Sequence, residues 1–152
     1  MKLGTKGQYA VMAMADLASQ SQDQPIPLAD IAQRQHIPLP YLEQIFVKLR
    51  RGGLVKSIRG YQGGYNLQGC PENLKIFEIM QAVEEDISTT RCGSAMTLSC
   101  QGKTGKCLTH NLWEGLQANI EHYLNSITLQ DLCQNQQAAF FSRSAQARGP
   151  HL

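Results

Sequence analysis

The sequence has 152 residues, about the length of one domain, and 42% of them are apolar, which is enough for a hydrophobic core and excludes a wholly disordered chain. The formal net charge of +2 indicates no particular class of partner, and the five cysteines, an odd number, cannot all form disulfides within one chain. The longest apolar run, residues 9–15, is too short to span a bilayer, so we expect a cytoplasmic protein that does not associate with a membrane.

The first third of the chain predicts three amphipathic helices. Apolar side chains recur at intervals of three and four residues, the spacing of one helix face. Residues 21–25 separate the first helix from the second, and residues 35–37 form a tight connection to the third. Pro40 suits the first turn of the third helix, and Gly52 and Gly53 end it. The apolar positions are Ala10, Ala13, Met14 and Leu17, then Leu28, Ile31 and Ala32, then Leu42, Ile45, Phe46 and Leu49.

The periodicity changes after the third helix. Residues 54–59 are typical of a strand, residues 60–64 of a flexible turn, and residues 65–67 of a returning strand. Three helices followed by a two-stranded hairpin is the order of a winged helix-turn-helix. We therefore predict a mainly α fold with a small β-wing, in which residues 1–87 form a DNA-binding region.

The charge distribution agrees with this interpretation. Residues 1–67 carry eight basic and four acidic side chains, whereas residues 68–152 carry six basic and eight acidic ones. Between residues 45 and 69 the chain has five basic side chains and no acidic one: Lys48, Arg50, Arg51, Lys56 and Arg59. Such a cluster is typical of a surface that binds phosphates, although a solvated basic face has the same composition.

Candidate DNA-binding residues follow from the geometry of the motif. The free face of the third helix is expected to enter the major groove, with its N-terminal residues nearest the bases. Glu43 is the one acid on that face, and it either accepts a hydrogen bond from cytosine, repels phosphates at wrong sites, or is an ordinary surface residue. The residues predicted to read bases are Leu39, Pro40, Tyr41, Glu43 and Gln44; Lys48 and Arg51 suit phosphates, and Arg59, Gly60, Gly63 and Gly64 belong to the wing.

A cysteine-rich loop follows a fourth predicted helix, whose apolar stripe is Ile76, Ile79, Met80 and Val83. The loop, residues 88–110, contains Cys92, Cys100, Cys107 and His110. Several thiolates and an imidazole in one loop are typical of a metal site. Zinc would accept this set, but its ligands usually come in two closely spaced pairs, so the spacing favours a [2Fe–2S] cluster. Unligated thiols or a redox disulfide remain the third interpretation. Cys70 and Cys133 are isolated and are predicted to be small packing residues.

The last part of the ordered chain, residues 111–137, predicts a long amphipathic helix and a short last helix opened by a capping box of Thr128 and Asp131. The stripe on the long helix is too apolar to remain in water, which favours pairing with a second copy. We predict a homodimer that binds a near-palindromic operator, and a disordered tail over residues 138–152. The predicted dimerisation residues are Leu112, Trp113, Leu116, Ile120, Tyr123, Leu124 and Ile127.

These segments resemble a known family, the winged helix-turn-helix regulators of iron–sulfur cluster assembly. The resemblance covers about residues 1–137. Its most specific part is the run Cys107-Leu108-Thr109-His110 leading into Leu112-Trp113. The other matching stretches are residues 6–11, Pro27-Leu28-Ala29-Asp30-Ile31, Tyr41-Leu42-Glu43-Gln44, the wing from Leu54-Val55 through Arg59-Gly60 to Gly63-Gly64-Tyr65, and Ile127-Thr128-Leu129. At the wing tip Tyr61-Gln62 stands where the family more usually has Pro-Gly.

The resemblance implies a dimeric transcription factor that holds a [2Fe–2S] cluster through Cys92, Cys100, Cys107 and His110. It also implies repression of cluster-assembly genes in the loaded state, supply of the cluster by donor proteins, and a second class of DNA site for the cluster-free form. A related winged-helix regulator that senses nitric oxide or iron status is the alternative. An electron-transfer protein is the rival from another class, and a structural zinc protein that binds DNA without sensing is a third. The sequence predicts no enzyme.

Overall fold

The computed structural model describes residues 3–20, 23–88 and 107–134. In this part of the chain the helices are α1 (Thr5–Ser19), α2 (Leu28–Gln35), α3 (Leu39–Arg51), α4 (Ile76–Ala82), α5 (His110–Ser126) and α6 (Leu129–Cys133). The strands β1 (Val55–Ile58) and β2 (Gly64–Leu67) lie between α3 and α4. This order confirms the predicted fold class of three helices followed by a β-wing. Of the predicted loop, residues 107–109 precede α5 and His110 is the first residue of that helix. Residues 89–106 and the tail beyond residue 134 lie outside the described residues.

The first three helices bury the faces that the periodicity predicts. Ala10, Ala13, Met14 and Leu17 of α1 are buried, as are Ile31 and Ala32 of α2 and Leu42, Ile45, Phe46 and Leu49 of α3. The ring of Phe46 also packs edge-to-face on Tyr65 of β2, with 4.9 Å between the ring centroids. This contact joins α3 to the wing within one hydrophobic core.

The connection between α2 and α3 depends on a left-handed residue. His36 has φ 54° and ψ 41°, and the backbone N–H of the next residue, Ile37, donates to the carbonyl of Ala32 over 3.1 Å. The backbone therefore reverses within two residues, and the side chain of Ile37 enters the core. The predicted tight connection is confirmed.

The wing is an antiparallel hairpin in which Val55 pairs with Leu67 and Ile58 with Gly64. A backbone bridge between Ile26 and Tyr65 attaches the α1–α2 connection to its other edge. A Cβ at Gly64 would collide with the backbone of Ile26. The close approach of the two backbones therefore requires glycine at residue 64. The strands differ from the predicted ones by a residue or two, because Leu54 and Arg59 lie outside the ladder and Gly64 lies within it.

The end of the described chain returns to the same core. The backbone N–H of Ile76 donates to Ile127 over 3.0 Å, and that of Leu129 donates to Leu74 over 2.8 Å. The predicted capping box is present, since the backbone N–H of Asp131 donates to Thr128 Oγ1 over 3.2 Å. Residues 127–133 therefore share the core of the region predicted as residues 1–87, and the boundary drawn at residue 111 does not separate two cores.

Among the described residues, no helix is both long enough and apolar enough to cross a membrane.

Candidate DNA-binding surface and cluster site

The face of α3 opposite its buried residues is open to solvent. Pro40, Glu43 and Gln44 are exposed near the N-terminus of the helix, and Arg51 is exposed in its last turn. Helical spacing places these four side chains on one side, because Glu43 and Gln44 follow Pro40 by three and four residues and Arg51 follows Gln44 by seven. The structure therefore brings together the exposed members of the predicted reading face.

The side chains of two other residues predicted to read bases contribute to packing within the fold. Leu39 and Tyr41 are half-buried and pack against the core. The ring of Tyr41 meets that of Tyr9 on α1 edge-to-face, with centroids 5.7 Å apart and planes at 78°. These side chains hold the N-terminal turn of α3 against α1, and they offer less free surface than Glu43 and Gln44.

The sequence interpretation omitted two residues of this surface. Val47 is half-buried and lies three residues after Gln44 on the same side of α3, and Arg50 is exposed in the last turn. The helical spacing from Gln44 to Arg51 would have identified Val47. Arg50 belongs to the basic cluster and follows Glu43 by seven residues, so the same spacing places it on the side of α3 that carries Glu43.

Near its tip the wing presents an arginine and a tyrosine to solvent, and Lys56 of β1 is also exposed. Arg59 is exposed just beyond β1, and Tyr61 at the tip is fully exposed. Gly60 is exposed and has φ 124°, a conformation that other residues rarely adopt. Gly63 and Gly64 are half-buried, and a Cβ on either would collide with backbone atoms. Glycine is therefore required at residue 63 by the backbone of the hairpin itself and at residue 64 by the backbone of Ile26.

Lys48, a predicted phosphate ligand, is engaged by an acidic residue of this chain. Its Nζ lies 2.5 Å from Oε2 of Glu84, which follows α4. The hydrogen bond from Lys48 holds the pKa of the Glu84 carboxyl below its usual range, and the positive charges of Lys48, Lys6 and Arg51 lower it further. The C-terminal half of the reading face therefore includes one carboxylate that the sequence did not associate with it.

Glu85 connects the same segment to the beginning of α1. Its carboxylate accepts hydrogen bonds from the backbone N–H groups of Gly4, over 2.6 Å, and Gly7, over 3.0 Å. Free N–H groups at a helix N-terminus are commonly satisfied by a nearby polar side chain; here the partner is 81 residues away along the chain from Gly4.

Two of the four predicted cluster ligands are described. Cys107 is half-buried immediately before α5, and His110 is the first residue of that helix. The backbone N–H of His110 donates to the carbonyl of Cys107 over 3.1 Å. The two residues therefore belong to the same backbone turn. His110 Nε2 is also 3.8 Å from Oε2 of Glu114. Cys92 and Cys100 lie outside the described residues.

A thiol and an imidazole at the beginning of one helix are suitable donors for a soft or borderline metal. Within residues 3–20, 23–88 and 107–134, no three His, Cys, Asp or Glu side chains are arranged to hold an ion. The two other predicted ligands, Cys92 and Cys100, lie outside that part of the chain. The donor chemistry fits a [2Fe–2S] cluster with mixed ligands.

The remaining cysteines differ from each other. Cys133 is half-buried, burial raises the pKa of its thiol, and its Sγ donates to the carbonyl of Ala15 over 3.6 Å. It is a packing residue, as predicted. Cys70 is exposed, so the prediction that it packs is wrong; it lies three residues after the end of β2.

Helix α5 leaves most of its apolar stripe uncovered. Leu112 is 62% exposed, Trp113 37% and Tyr123 40%, and the helix has no fully buried residue among its 17. Leu116 and Ile120 are half-buried, and Leu124 is half-buried against the core. Ile127 is only 4% exposed because it lies beyond the end of α5 and packs within this chain. Its assignment to the dimerisation stripe is corrected accordingly.

The three-helix unit, the basic face of α3 and the adjoining wing define the class of this protein as a winged helix-turn-helix transcriptional regulator that binds DNA. Residues 3–135 match the family model described as "Rrf2: Iron-dependent Transcriptional regulator". The chain belongs to the Rrf2 family.

Relatives within this family confirm the resemblance found in the sequence. The chain is 50% identical over 132 residues to the HTH-type transcriptional regulator IscR of Vibrio campbellii, covering 87% of this chain and 77% of that protein. It is 48% identical over 136 residues to IscR of Yersinia pseudotuberculosis, covering 90% of this chain and 81% of that protein.

Solved structures show the same fold. IscR of T. potens superposes with a TM-score of 0.73 at 36% identity, covering 100% of this chain and 94% of that one. CymR, the global cysteine regulator of B. subtilis, superposes with a TM-score of 0.74 at 33% identity, covering 90% and 99% of the two chains. The fold is thus common to IscR and to a regulator named for cysteine, so the fold by itself does not identify the signal.

Proposed function

We propose that this protein is a homodimeric DNA-binding regulator whose activity depends on a [2Fe–2S] cluster held by Cys92, Cys100, Cys107 and His110, and that it mainly represses genes for iron–sulfur cluster assembly. The observation that carries the proposal is the position of Cys107 three residues before α5 and of His110 as the first residue of that helix, joined by a backbone hydrogen bond. Two relatives about half identical to this chain are named IscR, which supports it.

The cluster contributes a redox-active group whose presence reports the supply of iron and sulfide. The protein's own residues provide the connection to DNA binding. Cys107 and His110 precede and begin α5, and the stripe on that helix is the surface through which we propose that two chains pair. Binding of the cluster at Cys107 and His110 therefore acts on α5. In the proposed dimer, this helix fixes the separation of the two α3 helices on a near-palindromic operator.

The surfaces of α3 and the wing supply DNA recognition. In this proposal Glu43 and Gln44 face base edges, Lys48 and Arg51 bind phosphates together with Arg50, and Arg59 approaches the minor groove. Cluster donor proteins load the site in the cytoplasm. The family description, iron-dependent, also favours the narrower alternative that the same cluster reports iron status.

The decisive experiment combines spectroscopy with DNA binding. The full chain is purified without oxygen, and its visible spectrum is compared with those of Cys92→Ala, Cys100→Ala, Cys107→Ala and His110→Ala. We expect a coloured wild type and loss or alteration of the spectrum in each variant. Cys70→Ala is the matched control, because that exposed thiol is not among the proposed ligands. A colourless protein containing zinc would contradict the cluster.

DNA binding is then measured by fluorescence anisotropy for loaded and cluster-free protein on the same operators. We expect the two forms to differ in affinity for at least one class of site. Equal affinities at every site would refute sensing through the cluster, and a coloured protein that binds no DNA would indicate electron transfer instead.

A further inference from the structure

Glu84 is an acidic residue inside the basic surface that faces DNA. Its carboxylate accepts a hydrogen bond from Lys48 Nζ, and its main-chain carbonyl accepts one from Lys6 Nζ over 2.9 Å. Lys48 is on α3, Lys6 is on α1, and both contribute to the basic half of the chain. A carboxylate that accepts a hydrogen bond from a lysine has the charge and the acceptor atoms of a phosphate oxygen pair.

The backbone around Glu84 is fixed on both sides. Glu84 has φ 56°, and its N–H donates to the carbonyl of Gln81 over 3.0 Å. The N–H of the next residue, Glu85, donates to Met80 over 3.0 Å, and the Glu85 side chain is bonded to Gly4 and Gly7. The Glu84 side chain therefore starts from a defined position beside α3, although 74% of it is exposed.

Lys48 lies where a phosphate contact is expected. It stands one helical turn after Gln44 and three residues before Arg51, at the edge of the exposed face of α3. Late residues of a recognition helix contact the DNA backbone more often than the bases. An ammonium group at the protein–DNA boundary is stabilised by pairing with a phosphate. The Glu84 carboxylate and a phosphate of the DNA backbone are therefore alternative partners for Lys48.

We propose that Glu84 competes with a DNA phosphate for Lys48, and thereby lowers the affinity of this protein for DNA of any sequence. The inference rests on the proposed contact between α3 and DNA. Phosphate contacts carry no sequence information, so weakening one reduces specific and non-specific binding alike. A lower non-specific affinity leaves more of the protein free to find its operators among the large excess of other sites.

The test compares Glu84→Gln with Glu72→Gln. The second variant removes the same charge from an exposed carboxylate in the turn after β2, and so controls for net charge. Affinity for an operator and for unrelated duplex DNA is measured by fluorescence anisotropy over a range of salt concentrations. For Glu84→Gln we expect binding about three- to tenfold tighter at low salt on both duplexes, with a salt dependence steeper by about one unit.

A double substitution separates competition from a general electrostatic effect. If Glu84 acts through Lys48, then Lys48→Ala weakens binding and Glu84→Gln has little further effect in the Lys48→Ala background. Equal effects of Glu84→Gln and Glu72→Gln, or full additivity with Lys48→Ala, would overturn the inference. Thermal unfolding of each variant confirms that it is folded. If the wild type binds no DNA, the proposed function itself fails, and that result is distinct from the other outcomes.

Discussion

The carboxylate of Glu85 lies 2.6 Å from the backbone nitrogen of Gly4 and satisfies the N-terminus of α1 from the segment that follows α4. Glu85→Ala removes this hydrogen bond and the one from Gly7, so we expect the free energy of unfolding to fall by about 1–2 kcal/mol. Urea unfolding followed by circular dichroism measures the change. Glu72→Ala, at an exposed carboxylate, is the control, and an equal loss in both variants would contradict the role of Glu85.

The ion pair between α1 and α2 predicts acid sensitivity. Arg34 Nη2 lies 2.6 Å from Asp16 Oδ1, and Gln35 Nε2 donates to Asp16 Oδ2 over 2.8 Å. Burial raises the pKa of the Asp16 carboxyl, but the hydrogen bonds from Arg34 and Gln35, together with the charge of Arg34, outweigh it and leave that pKa below its usual range. The carboxylate therefore stabilises the fold above its unfolded-state pKa of about 3.9, and this contribution is lost as the pH falls through the lower folded-state pKa.

Asp16→Asn tests this linkage. We expect the variant to lose about 2 kcal/mol of unfolding free energy at neutral pH, because Arg34 and Gln35 lose a charged acceptor that is nearly buried. Its stability should also fall less steeply than that of the wild type between about pH 5 and pH 2. Urea titrations at several pH values provide the measurement, and parallel pH profiles for the two proteins would refute the assignment.

Glu43 is predicted to contribute to sequence discrimination. It is exposed on the reading face beside Gln44, where a carboxylate accepts a hydrogen bond from cytosine or repels a misplaced phosphate. We expect Glu43→Ala to reduce the penalty for a changed base at one operator position by about 1–3 kcal/mol. Binding to a set of operators with single base-pair changes measures this. An unchanged preference profile would show that Glu43 is an ordinary surface residue.

Pairing through α5 is tested at Leu112, whose side chain is 62% exposed in the single chain. Leu112→Glu places a charge in the apolar stripe, and we expect it to convert a dimer to a monomer in sedimentation equilibrium. Ala118→Glu is the matched control, because residue 118 is exposed and lies on the opposite side of the helix. Dissociation by both variants, or by neither, would argue against this stripe as the interface.

Local patterns of the sequence were sufficient to predict most of the fold. The spacing of Leu42, Ile45 and Leu49 predicts both α3 and its buried side, because an amphipathic helix is encoded within a few turns. Thr128 and Asp131 predict the start of α6 for the same reason. The exposed reading face then follows from the buried one, which is why Glu43 and Gln44 were placed correctly on the surface.

Contacts between distant segments could not be predicted in this way. Glu84 and Glu85 form an acidic end to α4 in the sequence, but only the packing of α4 against α1 and α3 brings them to Lys48 and Gly4. Ile127 continues the apolar spacing of α5, yet the chain leaves the helix at that residue and the side chain enters the core. Periodicity cannot detect such an exit, because it reports spacing and not direction.

Helix α5 buries none of its residues completely within one chain, and this has a consequence for gene control. If two chains must associate before both half-sites of an operator are filled, then at low protein concentration the occupied fraction of the operator rises with the square of the amount of protein. Dilution of the regulator during cell growth would then lower the occupancy of its operators more abruptly than dilution of a protein that binds as a single chain.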